Sequence, residues 1–280
     1  MEFIGLEGGA VPVLGFGTFR MKEDECAEAV GRALAAGYRH LDTAEIYGNE
    51  EAVARGIRSA GFDRSELFIT TKAWMDDLSP SGVTKSLEGS LRRLGTGYVD
   101  LWLVHWPNAA YALRDTLAAM SGLAAKGKVR HLGISNFPAA LFDEAASMAR
   151  IVCNQVEYHP YLAQRPVLAV ARSRDAFVTA YAPVAMGNVQ GDEILQGIGE
   201  RHGKTATQVA LRWLIQQPHV GAIPKALDPR HIEENLEVFG RDWVTSSPVR
   251  PVHAVLGDEY QTGVFFGFGR RHVSHRIFQC

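Results

Sequence analysis

The sequence predicts an α/β protein: a closed (β/α)8 barrel with an N-terminal β-hairpin covering its bottom. Three observations carry that expectation. Short apolar runs alternate with amphipathic stretches eight times along the chain. Eight β-then-α repeats mean parallel strands joined by crossovers, and so many in succession favour closure over an open sheet. The chain has 280 residues, 46% of them hydrophobic, which suffices to bury such a core as one domain, and no interdomain linker interrupts it.

The elements follow in order. "FIGLEGGAVPVL" reads as the hairpin, with Gly8-Gly9 as its turn. The eight strands are "LGFGT", "RHLDT", "LFITTK", "VDLWLVHW", "VRHLGIS", "VCNQVEY", "FVTAYAP" and "GAIPK". The helices between and after them are "DECAEAVGRALAA", "NEEAVARGIRSA", "PSGVTKSLEGSLRRL", "ALRDTLAAMSGLAAKG", "PAALFDEAASMA", "RPVLAVARSR", "ATQVALRWLIQQ" and "PRHIEENLEVF", each with apolar spacings near three and four. Asn49, Ser79 and Asp228 stand where N-caps belong, and Gly37, Gly95 and Gly127 where helices end. The barrel is expected over 1–239, with an atypical tail over 240–280 that has many turn formers and little helical periodicity.

Composition narrows the function classes. A net charge of -2 and an isoelectric point near 6.6 give no general attraction to nucleic acid or anionic membrane. The opening "MEFIGLEGG" lacks the basic and apolar regions of a signal peptide, and no run reaches membrane-spanning length. Cys26, Cys153 and Cys280 form no disulfide framework, which fits a reducing cytoplasm. The histidines show no metal-ligand spacing. Two phosphate motifs fail on inspection. In "GFGTFR", Arg20 holds the third glycine position of a dinucleotide fingerprint, and Ile198 stands where a P-loop ending in "GKT" needs glycine.

Chemistry in such a barrel belongs at the C-terminal strand ends. Those ends give Asp42, Lys72 and His105 on three consecutive strands, with Tyr47 in the loop after Asp42. A phenol ordinarily ionises near pH ~10, and a neighbouring ammonium lowers that value. Asp42 is expected to hold Lys72 charged, and His105 to hydrogen-bond a bound oxygen. The set suits a general acid aimed at a carbonyl oxygen. Taken singly, each residue has a blander reading: a helix cap, a surface tyrosine, a strand-end ion pair, a core histidine.

The sequence resembles the aldo-keto reductase family over roughly residues 3 to 239. "GYRHLDTAEIYGNE", "GKVRHLGISNF" and "IPKALDPRHIEEN" are similar to its three signatures, in order. The resemblance is to a bacterial branch, diketogluconate-reductase-like or aldehyde-reductase-like. The resemblance implies Asp42, Tyr47, Lys72 and His105 as a catalytic tetrad in NADPH-dependent, reversible reduction of aldehydes or ketones. Histidine at 105 matches the carbonyl-reducing members, because those that reduce a steroid double bond carry glutamate there. Thr18, Phe19 and Asp42 fall at cofactor positions, as do Ser135, Asn136 and Gln155, which match the nicotinamide carboxamide contacts, and Tyr181, which matches the ring stacked on the nicotinamide. Lys225, Ala226, His231, Glu234 and Asn235 match the adenosine end. Phe19, Tyr47, Trp74, His105 and Trp106 match the substrate pocket.

The chain departs from the family at three places. Ala54 replaces a glycine late in the first signature, and the tail after Gly240 loses the resemblance. Ala226 and His231 replace the usual hydroxyl residue and arginine, which implies NADPH with weakened discrimination against NADH. A small carbonyl substrate and a monomer are expected. The alternative from another class is a barrel that binds NADPH as a regulatory or channel subunit and turns over little.

Overall fold

The structure is a computed structural model, and it describes residues 1–239. The expected tail, 240–280, lies outside the described residues, and Cys280 with it.

The chain opens on an antiparallel hairpin, β1 (Phe3–Leu6) and β2 (Gly9–Pro12). Leu6 pairs with Gly9, so the turn is Glu7-Gly8 rather than Gly8-Gly9. Gly8 alone has the positive φ, 79°, that the tight turn demands. The hairpin is moored beneath the barrel by ion pairs from Glu2 to Arg212 and from Glu7 to Arg150, which immediately precedes a barrel strand.

Eight parallel strands follow in sequential order. They are β3 (Phe16–Gly17), β4 (His40–Asp42), β5 (Phe68–Ala73), β6 (Val99–Val104), β7 (Val129–Ser135), β8 (Ile151–Glu157), β9 (Phe177–Tyr181) and β10 (Val220–Ala222). A parallel bridge between Leu14 and Ala222 closes the ring. There Gly15 N donates to Ala222 O at 2.8 Å and Gly17 N to Pro224 O at 3.0 Å. The glycines of "GFG" serve this seam. A Cβ on Gly15 would lie 2.6 Å from the His40 ring, and one on Gly17 would lie 2.9 Å from Ile223 O. Strands β5 and β6 are buried along their whole length, as parallel strands between a filled interior and outer helices must be.

The outer helices are α1 (Glu23–Ala36), α2 (Glu50–Ala60), α3 (Pro80–Leu94), α4 (Leu113–Ala125), α5 (Ala139–Met148), α6 (Arg165–Ser173), α7 (Glu193–His202), α8 (Ala206–Ile215) and α9 (Pro229–Leu236). Ser79 and Asp228 cap α3 and α9 through their side chains, as the sequence implies. Helix α7 is not among the eight expected from the sequence. Gly197 and Gly199 dilute its pattern, and its stability comes from the Asp192 cap and from packing of Leu195 and Ile198. Both α7 and α8 therefore separate β9 from β10. Among the described residues, no helix is long and apolar enough to cross a membrane. Cys26 and Cys153 are buried thiols, pushed by that burial to about 11 and about 12.

Candidate active site

Three neighbouring strands set the geometry. Asp42 ends β4, Lys72 lies one residue before the end of β5, and His105 follows β6. Lys72 is fully buried, and Asp42 and His105 are 2% and 8% exposed. An ammonium has three N–H donors. In Lys72 they point to Asp42 Oδ1 at 2.5 Å, Thr43 O at 2.8 Å and Tyr47 Oη at 3.4 Å. Burying such a pair costs several kcal/mol per ion, so its persistence requires this full set of partners.

Tyr47 reaches the group from a 3-10 turn, Glu45–Tyr47, closed by Gly48 in the left-handed region. Asn49, expected to cap α2, makes no side-chain cap bond. Its buried side chain instead accepts from Thr43 Oγ1 at 2.8 Å and donates to Thr18 O at 2.8 Å and Met21 O at 3.1 Å. That difference serves the site, because it ties the loop after β4 to the loop after β3. Thr18 completes the tie by donating from Oγ1 to Asp42 O at 3.0 Å.

The electrostatics correct one expectation. Burial raises the Tyr47 pKa above the ordinary phenol value; Lys72 pulls it down, but not enough to reverse the shift. Burial likewise opposes charge on Lys72, yet Asp42 and Tyr47 together hold its pKa above the ordinary value. His105 goes the other way. Burial first, and Lys72 second, push it down to about 2, so its imidazole is neutral. The site therefore holds a protonated phenol, a charged lysine and a neutral histidine at neutral pH.

Four further expected residues join this group. Asn136 adopts φ 63°, a left-handed conformation that asparagine tolerates. It donates to His105 O at 3.0 Å and Ser135 Oγ at 3.1 Å, and accepts from Tyr181 Oη at 2.8 Å. Ser135 Oγ donates to Gln155 O at 2.9 Å. Gln155 Nε2 donates to Asp42 Oδ2 at 2.7 Å. That last bond links residues 113 apart in the chain, and no motif spacing announces it.

Of the aromatic positions, Phe19 and Trp74 are in ring contact with this group. Phe19 is 49% exposed, with its ring centroid 5.0 Å from that of Tyr47. The Trp74 ring lies edge-on to His105 at 5.1 Å, and Tyr47 at 5.7 Å. Trp106, next in the chain after His105, is half-buried. The third motif follows β10. Lys225 and His231 are exposed there, Glu234 is half-buried, and Ala226 and Asn235 are buried. Arg230 folds back onto Asp228, with its guanidinium 2.8 Å from Oδ2. No described contact joins these five residues to the Lys72 group.

Residues 13–247 match the aldo/keto reductase family. This chain belongs to that family. It is 36% identical to morphine 6-dehydrogenase of Pseudomonas putida, over 98% of this chain and 96% of that protein. It is 39% identical to methylglyoxal reductase DkgB of Escherichia coli O157:H7, over 81% and 87%. Glyoxal reductase of Bacillus subtilis is similarly related, at 38% over 83% and 84%. Among solved structures, a putative 2,5-diketo-D-gluconic acid reductase B superposes with a TM-score of 0.81 at 45% identity, covering 82% of each chain. An aldo/keto reductase from Brucella melitensis gives 0.80 at 37% identity, covering 85% and 93%. As an aldo/keto reductase the chain is an oxidoreductase, and its neighbours share the (β/α)8 barrel.

Proposed function

We propose that this aldo/keto reductase reduces aldehydes or ketones to alcohols, with NADPH as the reductant and Tyr47 as the general acid. The observation that carries the reading is the buried Lys72 ammonium, aimed at once at Asp42 and at the phenol of Tyr47.

A nicotinamide fits the residues present. Its carboxamide brings two N–H donors and one acceptor. Ser135 Oγ and Asn136 Oδ1 each keep an unused lone pair, and Gln155 Nε2 keeps a second N–H. These three would hold the carboxamide, with the Tyr181 ring against the heterocycle. Bound there, the cofactor supplies a hydride to the carbonyl carbon.

The chain's own residues do the rest. Neutral His105 hydrogen-bonds the carbonyl oxygen and orients it. Tyr47 holds its proton at neutral pH and gives it up as negative charge grows on that oxygen. Lys72 stabilises the phenolate left behind, and Asp42 keeps Lys72 charged. Phe19, Trp74 and Trp106 exclude water and receive the apolar part of the substrate. The relatives named glyoxal and methylglyoxal reductases make methylglyoxal a suitable first probe.

Tyr47→Phe tests the reading. It should lower turnover with NADPH and methylglyoxal by about 10²- to 10⁴-fold while leaving NADPH binding intact. Near-normal turnover by a folded Tyr47→Phe protein would end the assignment.

A further inference from the structure

Tyr47 stands on a short, partly exposed turn. The 3-10 turn contains no buried residue, and Ile46 within it is 50% exposed. Packing therefore does little to fix the turn's backbone, although the phenol ring itself lies against Phe19 and His105. Two backbone bonds shape the turn: Tyr47 N donates to Ala44 O at 3.0 Å and Gly48 N to Glu45 O at 3.2 Å. Neither fastens it to another element.

Glu45 does. Its carboxylate Oε1 accepts the backbone N–H of Trp74, in the loop after β5. The same residue thus closes the turn with its carbonyl and moors it with its side chain. The mooring point is well chosen. The Trp74 ring packs on His105 at 5.1 Å, and His105 packs on Tyr47 at 5.7 Å. The loop after β5 is itself held to the loop after β6, by Asn108 Nδ2 on Met75 O at 2.9 Å and Tyr111 Oη on Asp76 O at 2.5 Å. Asn49 ties the chain just after the turn to the loop after β3, and Lys72 reaches Tyr47 Oη at 3.4 Å; the Glu45 bond is the tie from the turn to the loop after β5.

We infer that Glu45 is a positioning residue, which holds the phenol of Tyr47 in register with Lys72 and His105 through the backbone of Trp74. The inference rests on the proposed role of Tyr47. It concerns a residue that touches neither the carbonyl nor the nicotinamide in that reading. Misplacement by about 1 Å can cost roughly 10²-fold in rate, so the effect belongs in kcat.

The test uses the full chain with NADPH and methylglyoxal. Glu45→Ala should lower kcat by about 10- to 100-fold, with the NADPH Kd, read by fluorescence, within about twofold. Glu45→Gln should recover to within about threefold of the parent, because an amide carbonyl accepts the same N–H. In a Tyr47→Phe background, adding Glu45→Ala should cost less than about threefold, since the group being positioned is gone. An unchanged kcat in Glu45→Ala overturns the inference, and so does an equal loss in the Tyr47→Phe background. If Glu45→Ala does not fold, Glu45→Asp takes its place: it keeps the charge but falls one methylene short, and it must show the same kcat loss. Near-normal turnover in Tyr47→Phe alone is a separate outcome, which removes the proposed role of Tyr47 and this inference together.

Discussion

Two buried aspartates sit at opposite ends of the barrel wall, and they do different things. Asp100, near the start of β6, is 1% exposed; Asp42, at the end of β4, is 2% exposed. Asp100 accepts from Arg64 at 2.6 Å, Arg130 at 2.8 Å and the backbone N–H of Ile69 at 2.9 Å. Both guanidiniums reach in from the surface and lie over the Tyr98 ring, at 4.1 and 4.3 Å. Their side chains keep 21% and 51% of their exposure, so much of their hydration survives. The cation on Asp42 keeps none. The bottom site is a closed set, with charges that stay wet and an acceptor that is filled. The top site spends its desolvation on an ammonium whose third N–H makes only a long contact with a phenol. The same residue type at the same burial gives a clamp at one end and, in the proposed reading, part of a proton-transfer group at the other, and the partner's exposure makes the difference.

Removing the top cation breaks the comparison hardest. Lys72→Met strands the Asp42 carboxylate in the core and should cost about 3–5 kcal/mol of stability, by denaturant titration. Turnover should fall by about 10²-fold or more in the fraction that remains folded. Asp42→Asn keeps the shape but strands the fully buried ammonium, so a stability loss of the same order, about 3–5 kcal/mol, and a similar fall in kcat are expected. An Asp42→Asn protein that turns over normally would show that Lys72 needs no counter-charge.

Asp100→Asn is the mirror experiment. Because Arg64 and Arg130 retain water, the expected loss is about 1–3 kcal/mol, less than for Lys72→Met. Turnover should stay within about twofold of the parent, because no described contact joins Asp100 to the Lys72 group. A drop in kcat like that of Asp42→Asn would mean the two ends of the barrel are coupled.

The pH profile sharpens the contrast within the top site. A general acid works while it holds its proton, so activity is present below the Tyr47 pKa and lost as pH rises through it. That pKa is raised, so the alkaline limb should lie well above neutrality. His105, held at about 2, should contribute no acid limb in the working range. Carbonyl reduction should therefore be nearly flat from about pH 5 to 8. A histidine-like limb near about pH 6.5, retained in every variant except His105→Gln, would refute a permanently neutral His105.

Much of this was legible in the sequence, for physical reasons. Parallel strands and amphipathic helices impose periods that survive in any single chain, so the barrel and its strand order were readable. So were Asp42, Lys72 and His105, because strand ends are fixed points. Tyr47 was readable only as a neighbour of Asp42, and its electrostatics were not. The ammonium's pull could be inferred from proximity, whereas the larger effect of burial requires knowing what covers the ring. Asn49 misled because an N-cap position is defined locally, while its buried amide answers Thr18, Met21 and Thr43. Helix α7 was missed because two glycines in ten residues blur the period that identifies a helix. Gln155 on Asp42 and Glu45 on Trp74 were out of reach, since neither contact has a sequence signature.

The smallest expected effect concerns the choice of cofactor, at the segment after β10. Arg230 is the one fixed charge on the first turn of α9, yet it is committed to Asp228 through both Nε and Nη2, and Asp228 in turn caps the helix. Lys225 and His231 are exposed. In the proposed reading these two would meet the 2′-phosphate of NADPH, while buried Ala226 supplies no hydroxyl. A guanidinium offers a permanent charge and a planar fork to a phosphate, which an imidazole does not. The preference for NADPH over NADH should therefore be modest. His231→Arg should strengthen it several-fold by adding charge-assisted partners. Arg230→Ala should change the ratio of the two Kd values by less than about twofold, since its guanidinium already has a carboxylate. Fluorescence titration of both cofactors reads the parent, His231→Arg, His231→Ala and Arg230→Ala proteins. A strong preference that survives His231→Ala and disappears in Arg230→Ala would show that Arg230 leaves Asp228 for the phosphate.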